Sequence, residues 1–277
     1  MYSLDIVHEF SNQDLLYDHR IFHFPPPSLI ALHTHECYEL LYFVHGNVSY
    51  YIDGHFYRLR PHDLILTRPS QPHQIVLDEN TEYERYLLQF NERIVPSALL
   101  SRLPRDKHII STEDVPLIFQ SFQRTDAYCA KLDVAVLDHL FSALVCEILS
   151  NILMDERPDD LSDTLTAHPT LDRALSYIDQ NLHHSLTVEH LCRELYVTKG
   201  HLHHLFLKHL KTTPRRYIVE KRLFRARREL RQGKPPMLVA QECGFSDYTS
   251  FYRNYKFVFG YPPSEETSID PIENILS

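Results

Sequence analysis

The residues best equipped for chemistry lie between positions 33 and 73: His33-x-His35-x3-Glu39-x6-Gly46, then Pro61-x-Asp63, then Pro72-His73. On an extended strand His33, His35 and Glu39 share parity, so their side chains leave from one face. Imidazole and carboxylate together suit zinc, iron, nickel or manganese. The same groups also suit a metal-free polar pocket for a small organic molecule, or hydrogen bonds that only close one end of a barrel. Spacing alone leaves these three readings open. The five cysteines are scattered without a Cys-x-x-Cys pair, which excludes a disulfide framework and a zinc finger. No other cluster suggests catalysis.

Short strands must position these groups. The runs Tyr38–His45, Asn47–Asp53, His55–Arg60, Asp63–Thr67, His73–Leu77 and Tyr83–Phe90 are rich in β-branched, aromatic and leucine residues, and Asp53-Gly54 signals a hairpin. Many short strands with close turns predict a barrel or sandwich. Over roughly residues 20–90 the motif resembles the cupin barrel, in the form that AraC-type regulators use as a sensor domain. The resemblance implies that His33, His35, Glu39 and His73 hold a small-molecule effector or, alternatively, one divalent metal ion. It departs from the pattern at His62, which stands where glycine is usual, and no glycine precedes His73. Tyr38, Tyr42, Tyr50, Tyr51, Tyr57, Tyr83 and Tyr86 all fall in this region, which makes a sugar-like effector the expectation.

Residues 114–153 carry two helical patterns. The clearer, Asp133–Leu153, places Leu137, Leu140, Phe141, Leu144, Val145, Ile148, Leu149 and Ile152 on one broad apolar face that must be buried, on the barrel, on a partner subunit or on both. The acidic, proline-containing stretch from Asp155 to Asp163 reads as a linker.

The last third holds two helix-turn-helix patterns. In the first, Thr187 caps a helix through Leu195, and Thr198 caps a second that turns Leu202, Leu205 and Phe206 inward. In the second, a short helix ends at Gly244, a cap at Ser246 or Asp247 follows, and the next helix turns Phe251 and Tyr255 inward. Between them Pro214 opens and Gly233 ends a helix of about 28 Å, a length suited to holding two reading helices one DNA turn of about 34–36 Å apart. Residues 170–264 hold 16 Lys and Arg against 8 Asp and Glu, while the remainder hold 12 against 29, so a basic module sits on an acidic body although the net charge is −9.

The run Gly244-Phe245-Ser-Asp-Tyr-Thr-Ser-Phe251-Tyr-Arg253-Asn-Tyr-Lys256, with Gly260-Tyr-Pro262-Pro263 after it, resembles the AraC/XylS regulator signature over roughly residues 170–264. That resemblance implies double-stranded DNA as partner. It puts Thr198, Lys199, Gly200, His203, His204 and Lys208 on one reading helix and Tyr248, Thr249, Tyr252, Arg253 and Lys256 on the other. His204 departs from a common arginine, and Gly200 from a larger side chain. The helices after the barrel pair two subunits in that family, which implies a homodimer.

The expected fold is α+β: a cupin-like β-barrel over 1–112, a helical dimerisation segment over 113–154, a linker over 155–168, and an all-α tandem helix-turn-helix domain over 169–266. The expected function is effector-responsive transcription regulation, activating through RNA polymerase or repressing, with no enzymatic activity and no cofactor. A cupin metal-dependent enzyme or metal sensor fused to a DNA-binding module is the alternative. With no amino-terminal signal and no 18-residue apolar run, a cytoplasmic protein without membrane contact is expected.

Overall fold

The computed structural model describes residues 3–25, 32–52, 55–77, 81–104, 107–154, 168–183 and 186–266. The hairpin signal at Asp53-Gly54 and nearly all of the linker at 155–168 lie outside the described residues.

Among the described residues nine strands build the first domain: β1 (Ser3–Ser11), β2 (Leu15–His23), β3 (Tyr38–His45), β4 (Val48–Ile52), β5 (His55–Arg58), β6 (Asp63–Thr67), β7 (His73–Leu77), β8 (Tyr83–Phe90) and β9 (Ile109–Ser111). They form one sheet in the order β1-β2-β8-β3-β6-β9 and a second in the order β5-β4-β7. Every ladder is antiparallel. The strands from β3 to β8 match the expected runs to within two residues. β1 and β2 are additional, and their patterns explain why. β1 is largely exposed, while β2 is buried almost throughout and carries Asp18, His19 and Arg20 at its centre, so neither alternates apolar with polar.

Strand parity sorts the side chains into layers. Leu16, Leu41, Phe43, Tyr50, Ile65, Ile75 and Leu87 fill the space between the sheets. The alternate residues Leu15, Tyr17, Leu40, Tyr42, Leu88 and Phe90 form the outer face of the larger sheet. A short helix, α1 (Ser97–Leu100), precedes the two helices that cover this face, α2 (Pro116–Cys129) and α3 (Val134–Met154).

α3 corrects one expectation. An 18-residue window in it has mean hydropathy 1.6, so by length and composition it is apolar enough to cross a membrane. Leu137, Phe141, Leu144, Val145, Ile148, Leu149 and Ile152 nonetheless lie in the subunit's own core, and Phe141 stacks on Phe10 of β1 at 4.6 Å. The broad apolar face is therefore largely consumed within the chain, with Leu140 only half-buried and Val134, Val136 and Met154 exposed.

The second domain is helical: α4 (Pro169–Asn181), α5 (Val188–Leu195), α6 (Lys199–Leu210), α7 (Pro214–Arg231), α8 (Pro236–Glu242) and α9 (Tyr248–Phe259). The caps fall where side-chain chemistry places them. Thr187, Thr198, Thr213 and Asp247 each accept a backbone N–H of the first turn, which would otherwise lack a partner. α7 is shared by two cores. Its Tyr217, Ile218 and Phe224 join the core of α4–α6, and its Leu223, Ala226 and Leu230 join that of α8 and α9. The outer face of the smaller sheet, with Tyr51, Phe56 and Val76, packs into the first of these cores.

Candidate functional site

The four expected barrel residues meet at one end of the interior, though not by the expected route. His33 and His35 precede β3 in irregular backbone, so strand parity is not what aligns them. A backbone bridge between His33 and His73 fixes them instead, with N···O distances of 3.1 and 3.0 Å. The His33 and His73 rings lie 4.1 Å apart and those of His35 and His73 4.8 Å apart. Glu39 sits behind them on β3. Its carboxylate takes His35 Nε2 at 3.1 Å, lies 3.7 Å from His73 Nε2, and accepts from Gln89 Nε2 at 2.8 Å and from the Tyr50 hydroxyl at 3.2 Å. Thr67 Oγ1 lies 3.0 Å from the Tyr50 oxygen. Gln89 and Thr67 lie outside the expected set, and Tyr50 enters as a hydrogen-bond donor to Glu39 rather than as aromatic lining alone. Gln89 and Thr67 lie opposite Glu39 on the neighbouring strands β8 and β6, and Tyr50 faces it from β4 of the other sheet, so finding them requires the sheet topology.

The electrostatics follow from burial and neighbours. Burial alone would raise Glu39, but His73 and His35 hold it well below the usual carboxylate range. Burial pulls His35 down, yet Cys37 and Glu39 carry it well above an ordinary imidazole. His73 stays well below that value, held there by burial and by His33.

As a metal set the histidines fit in part. A ligand atom from each of His33, His35 and His73 lies within 4.8 Å of the others. His73 Nδ1 hydrogen-bonds to the Gln71 carbonyl at 2.8 Å, and its buried Nε2 has no hydrogen-bond partner, the arrangement of a ligating histidine. Glu39 lies beside this group, its oxygens accepting from Gln89, Tyr50 and His35.

His62 resolves the departure noted above: it adopts φ +73° itself, keeping the tight corner, while its Nδ1 meets the Tyr42 hydroxyl at 2.7 Å. The tyrosines, however, divide. Tyr50, Tyr57 and Tyr83 belong to the interior, Tyr38, Tyr42 and Tyr86 to the face under α2 and α3, and Tyr51 to the helical domain. The aromatic lining expected for a sugar is thus less than half of what composition suggested.

On the helical domain, Lys199, Gly200, His203, His204 and Lys208 of α6 are exposed on one side, opposite buried Leu202, Leu205 and Phe206. Thr198 is the N-cap, accepting from His201 N at 3.2 Å, and Lys199 pairs with Glu189 at 2.7 Å. On α9, Thr249, Tyr252, Arg253 and Lys256 are exposed. Tyr248 is half-buried, its ring 5.8 Å from Phe251, so it is partly a core residue rather than fully outward.

Comparison with known proteins agrees with both halves. A family model described as an AraC-like ligand binding domain matches residues 19–165, and a helix-turn-helix domain model matches residues 191–267. The regulator GbdR of Pseudomonas aeruginosa (strain UCBPP-PA14) is 32% identical over 108 residues, which are 39% of this chain and 29% of that protein. XylDLEGF operon transcriptional activator 1 of Pseudomonas putida is 22% identical over 247 residues, 83% of this chain and 74% of that one. Among solved structures, the AraC-like transcriptional activator CuxR aligns over 90% of this chain and 85% of its own, at 16% identity and a TM-score of 0.43. With its ligand-binding domain and its helix-turn-helix domain both matched, the chain belongs to the AraC family of transcriptional regulators.

Proposed function

We propose that this protein regulates transcription by binding duplex DNA through α6 and α9, and that a small molecule held in the barrel controls it. The observation that carries the reading is the pair of capped helices, each with a polar exposed face, mounted at the two ends of the 18-residue α7. Their mounting suits successive major grooves on one face of a duplex. Selection from a random duplex pool with the full chain tests it. Enriched sites should hold two conserved blocks about 10 base pairs apart. With about six phosphates neutralised, affinity should fall about a thousandfold between 50 and 200 mM salt. No enrichment over the starting pool would overturn the reading.

The regulator acts in the cytoplasm as a homodimer and makes no use of a membrane; as an activator it would contact RNA polymerase. The surface left for pairing is what α2 and α3 still expose, including Leu117, Tyr128, Val134 and Val136. Sedimentation of Val136→Glu against wild type tests this, and a mass unchanged at dimer would move the interface elsewhere.

A second reading is favoured by the three histidines: a divalent metal in the barrel, as a sensed ion or as the centre of an enzyme. Elemental analysis of protein purified without chelators or metal-affinity tags decides it. About one metal per chain, lost in His73→Ala, supports the metal; none in either leaves an organic effector. Catalysis is not part of the preferred reading.

A further inference from the structure

The barrel interior holds a second polar group, on β2 and β8, whose Arg85 and Tyr83 also feel the charge of Glu39. β2 and β8 pair so that Arg20 lies opposite Arg85 and Phe22 opposite Tyr83. All face the interior, because they share parity with Leu16 and Leu87. Two guanidinium groups directly across a ladder repel each other. Asp18 bridges them: Arg85 Nη1 donates to Oδ1 at 2.5 Å, and Arg20 Nε lies 3.3 Å from Oδ2. Arg20 Nη2 also donates to Glu9 at 2.6 Å.

The bridge leaves donors over. Arg20 Nη1, Arg85 Nε and the Tyr83 hydroxyl are buried without a hydrogen-bond acceptor, and the three residues are at most 2% exposed. Each such donor is costly to leave unmet, and native interiors keep few of them. The one leftover acceptor, Asp18 Oδ2, already faces Arg20 Nε. What this wall lacks is therefore acceptors rather than charge, since Asp18 and Glu9 already balance the two guanidinium groups. The rings of Phe22 and Phe43 lie 5.3 and 6.0 Å from that of Tyr83 and give the wall an apolar flank.

We propose that Arg20, Arg85 and Tyr83 receive the carboxylate of the effector, which makes the controlling molecule a small organic acid. The assignment rests on the reading that the barrel binds an effector. A carboxylate brings about four lone-pair sites and no donor, and so satisfies three donors at once. A neutral hydroxyl brings its own proton and finds no free acceptor beside them.

Formate is the probe, because it is the carboxylate alone. Thermal unfolding of the full chain is followed in about 100 mM sodium formate and in sodium chloride of equal ionic strength, for wild type, Tyr83→Phe and Arg20→Gln. Wild type should melt about 2–4 °C higher in formate. Tyr83→Phe, which removes only the unmet hydroxyl, should keep less than half of that shift, and Arg20→Gln should lose it. If Arg20→Gln does not fold, Tyr83→Phe alone decides. Equal melting of wild type in formate and chloride overturns the assignment, and so does a formate shift that survives in Tyr83→Phe. DNA binding measured on the same preparations separates the two readings: a formate shift without DNA binding breaks the regulator, and DNA binding without a formate shift breaks only the acid.

Discussion

The hydroxyl groups of Tyr51 on β4 and Tyr217 on α7 meet across the junction between the barrel and the helical domain, with their rings edge-on at 6.0 Å. Tyr50, one residue earlier, points the other way and donates to Glu39. One peptide of β4 thus touches both the candidate effector end and the helix that carries both reading units. Two further contacts tie the seam: Gln74, opposite Tyr51 in the ladder, donates to the Leu210 carbonyl at 3.4 Å, and Arg231 lies 2.9 Å from Glu36. A double-mutant cycle with Tyr51→Phe and Tyr217→Phe, read by urea unfolding, should show a coupling of about 0.5–3 kcal/mol. Additive single effects would mean that the hydroxyls do not meet in solution.

Arg253 stands exposed on α9 between Tyr252 and half-buried Asn254, whose amide turns back to the Ser250 carbonyl at 2.8 Å. Asn254 is therefore spent on its own helix, and Arg253 is left to reach outward. Arg253→Ala should weaken binding to a selected site by about 1–3 kcal/mol and binding to random duplex by much less. Gel-shift titrations on both duplexes measure the difference. Equal losses would make Arg253 a phosphate contact.

What could be read from the chain divides along a physical line. The helix caps Thr187, Thr198 and Asp247 act on backbone groups three residues away, so local sequence suffices to place them. Strands β6 and β7, buried on both faces, were legible instead as short leucine, isoleucine and valine runs bounded by turn residues. The Glu39 cluster was found through motif residues, but its real frame of Gln89, Thr67 and Tyr50 depends on which strands neighbour β3 and on β4 facing it from the other sheet, both long-range facts. β2 was opaque because a strand covered on both faces need not alternate, and buried Asp18 and Arg20 read as surface residues until Arg85 is seen opposite.

His19 offers a pH test away from both sites. Its Nδ1 faces Asp126 of α2 at 2.7 Å and its Nε2 faces Glu84 at 2.9 Å, so only the doubly protonated ring can donate to both. Tyr17 also donates to Asp126, Tyr86 stacks on His19 at 3.9 Å, and His45 shares Glu84. Burial pulls the imidazole down, but the hydrogen bonds to Asp126 and Glu84 outweigh it, and the folded pKa lies above 6.5. The stabilisation is therefore complete below the unfolded value of about 6.5 and is lost as pH rises through the folded one. Thermal scans should show the wild type losing its advantage over His19→Gln as pH rises above about 6.5. A gap between the two that stays constant from pH 5 to 9 would contradict the charged ring.

Two glycines of the helical domain predict opposite signs. Gly244 holds φ +80° at the turn between α8 and α9, and a Cβ there would fall 2.6 Å from the Leu182 carbonyl oxygen and 3.1 Å from the Arg222 guanidinium. That carbonyl accepts from Arg222 Nε at 3.1 Å, so it cannot retreat without breaking the bond that joins α4 to α7. Gly244→Ala should cost about 1–3 kcal/mol from backbone strain alone, and more from the clash. Gly200 lies in the first turn of α6 with open space where its Cβ would stand. Gly200→Ala should stabilise the fold by about 0.4–1 kcal/mol, because alanine restricts the unfolded chain and fits the helix. Urea midpoints of the two variants, measured on the full chain, test both signs together. A neutral Gly244→Ala would mean that the turn rebuilds itself, and with it the angle at which α9 presents Arg253.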